Sequence, residues 1–284
     1  MTAAVARAQP PAGRISKHNF ERLAAFIYDY SGIKMPATKL TMLEGRLHRR
    51  LRAMNYASFD DYCDFLFSDD GLDQEAVHLI DAVTTNKTDF FRETRHFEFM
   101  ATVALPSICN AGTKTIRAWS AGCSTGAEPY TMAMVLSEYA EARRGLSYDI
   151  LATDLSTNVL DIAHAGIYAK DILTPVPAAL YRKYVMAPKH PERNAVRIVP
   201  KLRSRIGFAR LNLMDPAYPV GEAMHLIFCR NVLIYFDKQT QAGVLSRLCA
   251  NLTKGGYLFI GHSESITGFD LPVQQVSNTV FQRI

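Results

Sequence analysis

From about residue 115 the chain repeats one texture, and that texture constrains the fold more than any other feature. Short β-rich runs end in small or polar residues: Thr115–Trp119, Asp149–Thr153, Ile206–Ala209, Met224–Cys229 and Tyr257–Gly261. Between them lie stretches of helical periodicity, Pro129–Ala142, Val159–Ala165 and Thr240–Asn251. Strands joined by helical crossovers run parallel in one sheet with right-handed connections. The predicted class is therefore α/β, a doubly wound, mostly parallel sheet. Val273–Ile284 alternates apolar and polar residues and predicts antiparallel edge strands. Residues 172–203 interrupt the alternation with Pro175, Pro177, Pro188, Pro191 and Pro200, a basic balance and one strand-like run, Val196–Val199. They read as an inserted β-subdomain.

The N-terminal third has a different period. Phe20, Leu23, Ile27 and Tyr30 recur at helical spacing behind a Ser16 cap, and Ser31-Gly32 ends the pattern. Leu40, Leu43, Leu47 and Leu51 form a second stripe. Ser58-x-x-Asp61 is a capping-box pattern opening a third helix, Asp69-Asp70-Gly71 breaks it, and Glu75–Val83 restarts one. The expected organisation is a disordered tail over 1–14, a helical domain over 15–82, a linker over 83–95 that contributes to the active site, and a wound-sheet domain over 96–284.

Residues 1–14 are rich in Ala, Pro and Arg without an acid or an apolar core, so they read as a tail, although a transit peptide shares some of that composition. No apolar run approaches the ~18 residues of a membrane span. Five widely spaced cysteines without a C-x-x-C pair argue against a disulfide framework or a zinc site and fit a reducing cytoplasm. Between Lys34 and Met54, six cations (Lys34, Lys39, Arg46, Arg49, Arg50, Arg52) face one acid, Glu44. Such a patch suits an acidic partner, either nucleic acid or an acidic protein helix, and charge alone fits a solvated helix face equally well.

Strand Thr115–Trp119 runs into Ser120-Ala121-Gly122-Cys123-Ser124-Thr125-Gly126 before a helix opens near Pro129. Small residues after the first strand of a wound sheet let the backbone approach a cofactor. The pattern is not G-x-G-x-x-G, so a dinucleotide is disfavoured. Asp154 closes the next strand, where a carboxylate can accept both ribose hydroxyls. Together these favour an adenosine-type ligand, while each singly is also ordinary turn chemistry.

Thr84-Thr85-Asn86-Lys87-Thr88-Asp89-Phe90-Phe91-Arg92-Glu93 resembles the T-x-N-x-T-x-F-F-R-E segment of the chemotaxis receptor methyltransferase family (CheR type). Further motifs follow in the same order. Trp119–Tyr130 is similar to W-S-A-x-x-S-T-G-x-E-P-Y, and Ala152-Thr153-Asp154 to the family's ribose strand. Phe228–Phe236 is similar to F-C-R-N-V-x-I-Y-F, and Gly261-His262-Ser263-Glu264 to G-H-S-E.

The resemblance implies a Rossmann-like class I S-adenosylmethionine methyltransferase that esterifies receptor glutamates, yields S-adenosylhomocysteine and uses no metal. It implies that Asn86, Thr88, Arg92, Gly122, Glu128, Asp154, Asn212, Leu213, Arg230 and Asn231 hold the cofactor, and that Arg92 and Tyr235 face the incoming carboxylate. It gives Arg46, Arg49, Arg50 and Arg52 a docking role against acidic methylation helices. The implied setting is a cytoplasmic monomer acting on a chemoreceptor, without nucleic acid or membrane insertion. Each residue has a plainer alternative: Tyr235 as core, Glu128 as a helix N-terminal charge, Asn86 as a cap. His262 receives no role. Family members that tether a receptor tail peptide by β-augmentation carry Arg-Gly after a Met in the insertion; here Met186 is followed by Ala187-Pro188, which argues against tethering.

The chemistry suits this set. A glutamate with a pKa of about 4.3 arrives ionised and needs no general base. Two rival readings differ in what they predict. A methyltransferase for another acid or for nucleic acid shares the cofactor loop but not Thr84–Arg92, and a non-catalytic receptor-binding adaptor does not require Arg92 and Tyr235.

Overall fold

The computed structural model describes residues 13–284 except 189, 191 and 193, so the tail expected over 1–14 lies almost wholly outside the described residues. The chain divides into two compact units, one through Thr85 and one from Asn86 onward.

The first unit is helical. Helix α1 (Lys17–Ser31) begins where the Ser16 hydroxyl accepts the Asn19 N–H and ends at Gly32 with φ 72°. Helix α2 (Leu40–Met54) carries the Leu43, Leu47 and Leu51 stripe inward. Helix α3 (Phe59–Leu66) opens with the full reciprocal box between Ser58 and Asp61. Helix α4 spans Gly71–Val83, starting four positions before the expected Glu75. Gly71 reads in the sequence as a breaker; in the fold it is the first residue of α4. A Cβ there would lie 1.9 Å from the Phe65 carbonyl oxygen, so only glycine lets α4 start this close to the end of α3. Leu23, Ile27, Leu43, Leu47, Leu51, Tyr62, Leu66, Leu79 and Ile80 are fully buried. At roughly 1.5–3 kcal/mol per large apolar side chain, this cluster is what makes the four helices worth ordering.

The second unit begins with α5 (Arg95–Phe99), a π-helical turn over Met100–Ala104 and α6 (Leu105–Asn110). Strand β1 (Thr115–Ala121), α7 (Ala127–Glu141), β2 (Ser147–Asp154) and α8 (Thr157–Ala165) follow. Next come β3 (Ile167–Ala169), α9 (Ala178–Tyr184), β4 (Val185–Met186), β5 (Ala195–Ile198) and α10 (Pro200–Arg203). The chain closes with β6 (Ile206–Arg210), β7 (Met224–Cys229), α11 (Lys238–Ala250), β8 (Leu252–Ile260), β9 (Val273–Ser277) and β10 (Val280–Arg283).

The main sheet has the order β6-β2-β1-β7-β8-β10-β9. The first five of these are mutually parallel, and β10 is antiparallel to both neighbours. This is the doubly wound sheet with an antiparallel edge that the alternation predicts. Strand β8 starts at Leu252 rather than near Tyr257, because a register shift after Met224 lets its first residues pair early. A separate antiparallel sheet, β3-β5-β4, starts at Ile167, upstream of the proline-rich stretch that signalled it. The sheet interior is aromatic: Phe228 and Phe259 stack with centroids 4.2 Å apart, and Trp119 is fully buried.

The winding reverses between β1 and β7. Connections from β1 proceed toward β2 and β6, and those from β7 toward β8. Ligands of open α/β sheets bind outside the carboxyl ends of the strands at such a reversal.

Candidate active site

Gly122 leaves β1 at φ 86°, and the N–H groups of Gly122 and Cys123 both donate to the Thr153 carbonyl at the end of β2 (2.8 and 2.9 Å). A Cβ on Gly122 would lie 2.5 Å from Val232 Cγ2. The backbone conformation and the close neighbour both demand glycine here. Asp154 closes β2 and organises the same corner. One carboxylate oxygen accepts the Ser124 N–H (2.8 Å) and the other the Ser156 N–H (3.0 Å). The Leu211 N–H donates to the Asp154 carbonyl, which brings Asn212 and Leu213 beside it. Asn212 shapes its own turn by accepting the Met214 N–H (3.0 Å), and Leu213 is buried.

The segment after Thr85 reaches this corner through the Ser124 hydroxyl, which donates to the Asn86 carbonyl (2.8 Å). Phe91 and Glu93 both adopt positive φ, so the backbone turns sharply on either side of Arg92. The Phe91 N–H is anchored to the Thr131 hydroxyl (3.2 Å), while the half-buried Arg92 side chain donates to the Lys87 carbonyl (3.1 Å). Asn86 and Thr88 are half-buried on the same stretch.

Arg230, at the end of β7, joins these pieces. Its buried guanidinium donates to the Arg92 carbonyl, to Glu93 Oε2 (3.0 Å) and to Glu128 Oε2 (3.2 Å). Glu128 stands in the first turn of α7 and also accepts the Ser120 hydroxyl (2.6 Å). Two carboxylates thus share one arginine, and their titrations part. Burial pushes Glu128 above the usual carboxylate range despite Arg230 and Ser120. Burial also opposes ionisation of Glu93, but Arg230, the His262 N–H and Asn231 outweigh it and hold that group below its usual value. With both carboxylates ionised the trio is one unit negative, complementary to a positively charged ligand atom.

Asn231 follows at φ 59°, its amide donating to Glu93 Oε1 (3.3 Å). A 3₁₀ turn over Leu233–Tyr235 then places Tyr235 half-buried at its end. Of the cofactor residues expected from the sequence, Asn86, Arg92, Gly122, Glu128, Asp154, Asn212, Leu213, Arg230 and Asn231 are thus linked around the ends of β1, β2, β6 and β7, and Thr88 lies on the segment between Asn86 and Arg92. Arg92 and Tyr235 lie on two segments that Arg230 and the Asn231–Glu93 contact tie together. Sequence reasoning gave no role to Glu93, the acceptor shared by Arg230, Asn231 and the His262 N–H (3.2 Å). Its only sequence signal was its place inside F-F-R-E.

Glu93, His96 and His262 lie close enough to offer three ligands to a metal ion. Arg230 already neutralises that carboxylate. Burial first, then the Arg230 charge, lowers His96 to about 4, an environment that resists a second cation. His96 Nε2 instead pairs with the Thr279 hydroxyl (2.8 Å).

In the helical unit the four arginines of α2 divide. Arg46 donates to the carbonyls of Val83 and Thr84 and to the Thr85 hydroxyl. Arg50 forks onto Glu75, a carboxylate only 1% exposed that also accepts the Tyr62 hydroxyl (3.1 Å). Both guanidiniums are engaged within the unit, whereas Arg49 and Arg52 are exposed.

The chain matches known proteins over nearly its whole length. Residues 86–282 match the family described as "CheR methyltransferase, SAM binding domain", and residues 18–84 match "CheR methyltransferase, all-alpha domain". The chain is 40% identical over 259 residues to a chemotaxis protein methyltransferase of Borreliella burgdorferi, covering 89% of this chain and 90% of that protein. It is 35% identical to chemotaxis protein methyltransferase 2 of Pseudomonas aeruginosa (94% and 93% covered). It is likewise 35% identical to the chemotaxis protein methyltransferase of Escherichia coli (94% and 91% covered).

Proposed function

The chain belongs to the CheR methyltransferase family, and from that premise we propose that it esterifies glutamate side chains on the cytoplasmic domain of a chemotaxis receptor. It is an S-adenosylmethionine-dependent methyltransferase. The chemistry of the donor set fits that cofactor. Asp154, at the end of β2, would hold the ribose; Asn212-Leu213 would pass along the adenine; Glu128, Arg230 and Asn231 would border the amino-acid portion. The observation that carries the reading is the Arg230 bridge. Its hydrogen bonds tie the Arg92 segment to the end of β7 and the first turn of α7, next in sequence to the turn that ends in Tyr235 and at the sheet's reversal.

The bound cofactor supplies a methyl group on a positively charged sulfur, which leaves when a carboxylate oxygen attacks. Transfer of that methyl to a carboxylate oxygen would exchange the S–CH₃ bond for an O–CH₃ bond and leave a neutral thioether. The substrate is already an anion at neutral pH, so the protein supplies no general base. Its residues align and desolvate instead: Arg92 and Tyr235 orient one carboxylate oxygen while the other approaches in line. With both carboxylates ionised, the one-unit negative excess of Glu93, Glu128 and Arg230 would favour a sulfonium over a neutral thioether beside them.

Substrate choice falls to α2. Arg49 and Arg52, exposed on that helix, would meet the acidic methylation helices of the receptor, while Arg46 and Arg50 hold the domain together. The two-residue β4 edge, ending at Met186 with Pro188 close behind, has little length for pairing an extended tail peptide, and tethering is no part of the reading. The reaction takes place in the cytoplasm, with the chain acting as a monomer.

The deciding experiment incubates the protein with methyl-labelled S-adenosylmethionine and a receptor cytoplasmic domain. Label released by alkali as methanol is expected. Alkali-stable label on the receptor, or none, would overturn glutamate esterification.

A further inference from the structure

Glu264 is 8% exposed, and no lysine or arginine pairs with it among the described residues. Its carboxylate is compensated by backbone alone. One oxygen accepts the N–H groups of Gly261 (2.5 Å) and Asn231 (3.0 Å), and the other accepts that of Ile234 (3.3 Å). Two of these donors belong to the turn that begins at Asn231 and ends at Tyr235. The third belongs to the end of β8, and the Glu264 N–H returns to the Gly261 carbonyl (2.9 Å).

We propose that Glu264 is a positioning residue for methyl transfer: its carboxylate clasps the Asn231–Tyr235 turn to the end of β8 and thereby fixes where Tyr235 stands. The proposal rests on the methyltransferase reading above and adds a residue to its machinery.

Three observations converge on the clasp. Asn231 sits in the left-handed region at φ 59°, a conformation that asparagine tolerates but does not seek, so something must hold the turn open at its first residue. The Asn231 N–H bond to Glu264 does so. Gly261 is fitted to the same contact: a Cβ there would stand 2.6 Å from Asn231 Nδ2 and 2.9 Å from Glu264 Oε2, so a side chain would pry the clasp apart. Finally, a buried charge is costly to keep without a cation. A neutral or apolar residue would pack here at lower cost if only packing were required. An ionised carboxylate can accept every N–H presented to it at once, whereas a carboxamide must turn one NH₂ toward those donors. Burial pushes Glu264 up, and the backbone N–H groups around it, Gly261 first, draw it back without cancelling the rise.

The consequence is kinetic. The turn bears no substrate-binding charge of its own, but a displacement of about 1 Å at a reacting geometry costs on the order of 100-fold in rate. Glu264→Gln should lower kcat for receptor methylation by about 10- to 100-fold while changing KM for the receptor domain little. A double-variant cycle with Tyr235→Phe separates positioning from general destabilisation. If Glu264 acts through Tyr235, Glu264→Gln costs far less in the Tyr235→Phe background than in the wild type. Thermal melts and S-adenosylhomocysteine titration accompany each protein. Glu264→Asp, which restores the charge, should recover part of kcat.

Kcat of Glu264→Gln within about twofold of wild type, or equal fractional losses in both backgrounds, overturns the proposal. If Glu264→Gln does not fold, Gly261→Ala enters the same cycle with the same expectation. A wild-type protein that gives no alkali-labile label overturns the function itself, and the role of Glu264 with it; an active wild type with an unaffected Glu264→Gln overturns only the role.

Discussion

Replacing Arg50 by Met separates the two roles available to the α2 arginines. Glu75 is essentially inaccessible, and among the described residues Arg50 supplies two of the three hydrogen bonds to its carboxylate and the Tyr62 hydroxyl the third. Breaking a buried pair by removing one partner costs roughly 3–5 kcal/mol. The Arg50 side chain is 24% exposed, so water screens part of the interaction, and about 2–3 kcal/mol is the better expectation. That is a large fraction of the stability of a domain this small. The loss should be local. Amide hydrogen exchange by mass spectrometry reads it directly, because a factor of ten in exchange corresponds to about 1.4 kcal/mol of opening free energy. Peptides from Leu40–Met54 and Gly71–Val83 should therefore exchange about 30- to 150-fold faster in Arg50→Met, while those from the wound sheet are unchanged. Arg49→Met should leave all peptides within about threefold of wild type, since exposed substitutions move stability by at most ~0.5 kcal/mol. Arg50→Met/Glu75→Leu, which removes both charges, should recover most of the protection. Exchange in α2 and α4 that is unaffected by Arg50→Met would refute the assignment of Arg50 to the interior of the domain and return it to the docking surface.

Three more outcomes are expected. Gly122→Ala, opposed by φ 86° and by Val232, should weaken S-adenosylmethionine binding at least about 10-fold in calorimetric titration, with the helical unit's exchange untouched. Arg92→Ala and Tyr235→Phe should lower turnover more than cofactor affinity, and equal losses in both assays would count against their facing the substrate. Glu128→Gln should raise the Tm of the cofactor-free protein at pH 7 while weakening cofactor binding. Burial raises the folded pKa of Glu128 above its unfolded value, so the ionised group opposes folding at neutral pH. That penalty fades as pH falls through the folded value, and the Tm gain should shrink from pH 7 toward pH 4.

What was legible in the sequence was local. The Ser58–Asp61 box, the Gly32 stop and the small-residue turn after β1 each depend on neighbours a few positions away, so their patterns survive in one dimension. The mostly parallel sheet was legible because strands joined by helical crossovers run parallel with right-handed connections, whereas the strand order came only from the structure. Glu93 and Glu264 stayed silent for the opposite reason. Glu93 meets Arg230 across 137 positions, and Glu264 reaches Asn231 across 33, so no spacing rule could connect them. The charge run over residues 34–54 showed six cations but not which were occupied; for Arg50 it was Glu75, an acid on α4, that made the distinction. Gly71 misled because a close helix packing and a chain break call for the same residue.

The span between Glu93 and Arg230 also dictates when the pocket comes into being. Strands β1 and β2, with Gly122 and Asp154, can pair as soon as residue 154 is available, because they are neighbours in the sheet. The cation that draws the Arg92 segment to α7 arrives only at the end of β7, and the clasp on its turn only at residue 264. During synthesis at ~5–20 residues per second, the chain passes through an interval in which the Gly122–Asp154 corner can form but the Arg230 and Glu264 contacts cannot. Glu93 and Glu128 then face each other without their shared counter-ion. The hydrogen bonds that hold the Arg92 segment and the turn after Asn231 are therefore complete only once residue 264 has been made.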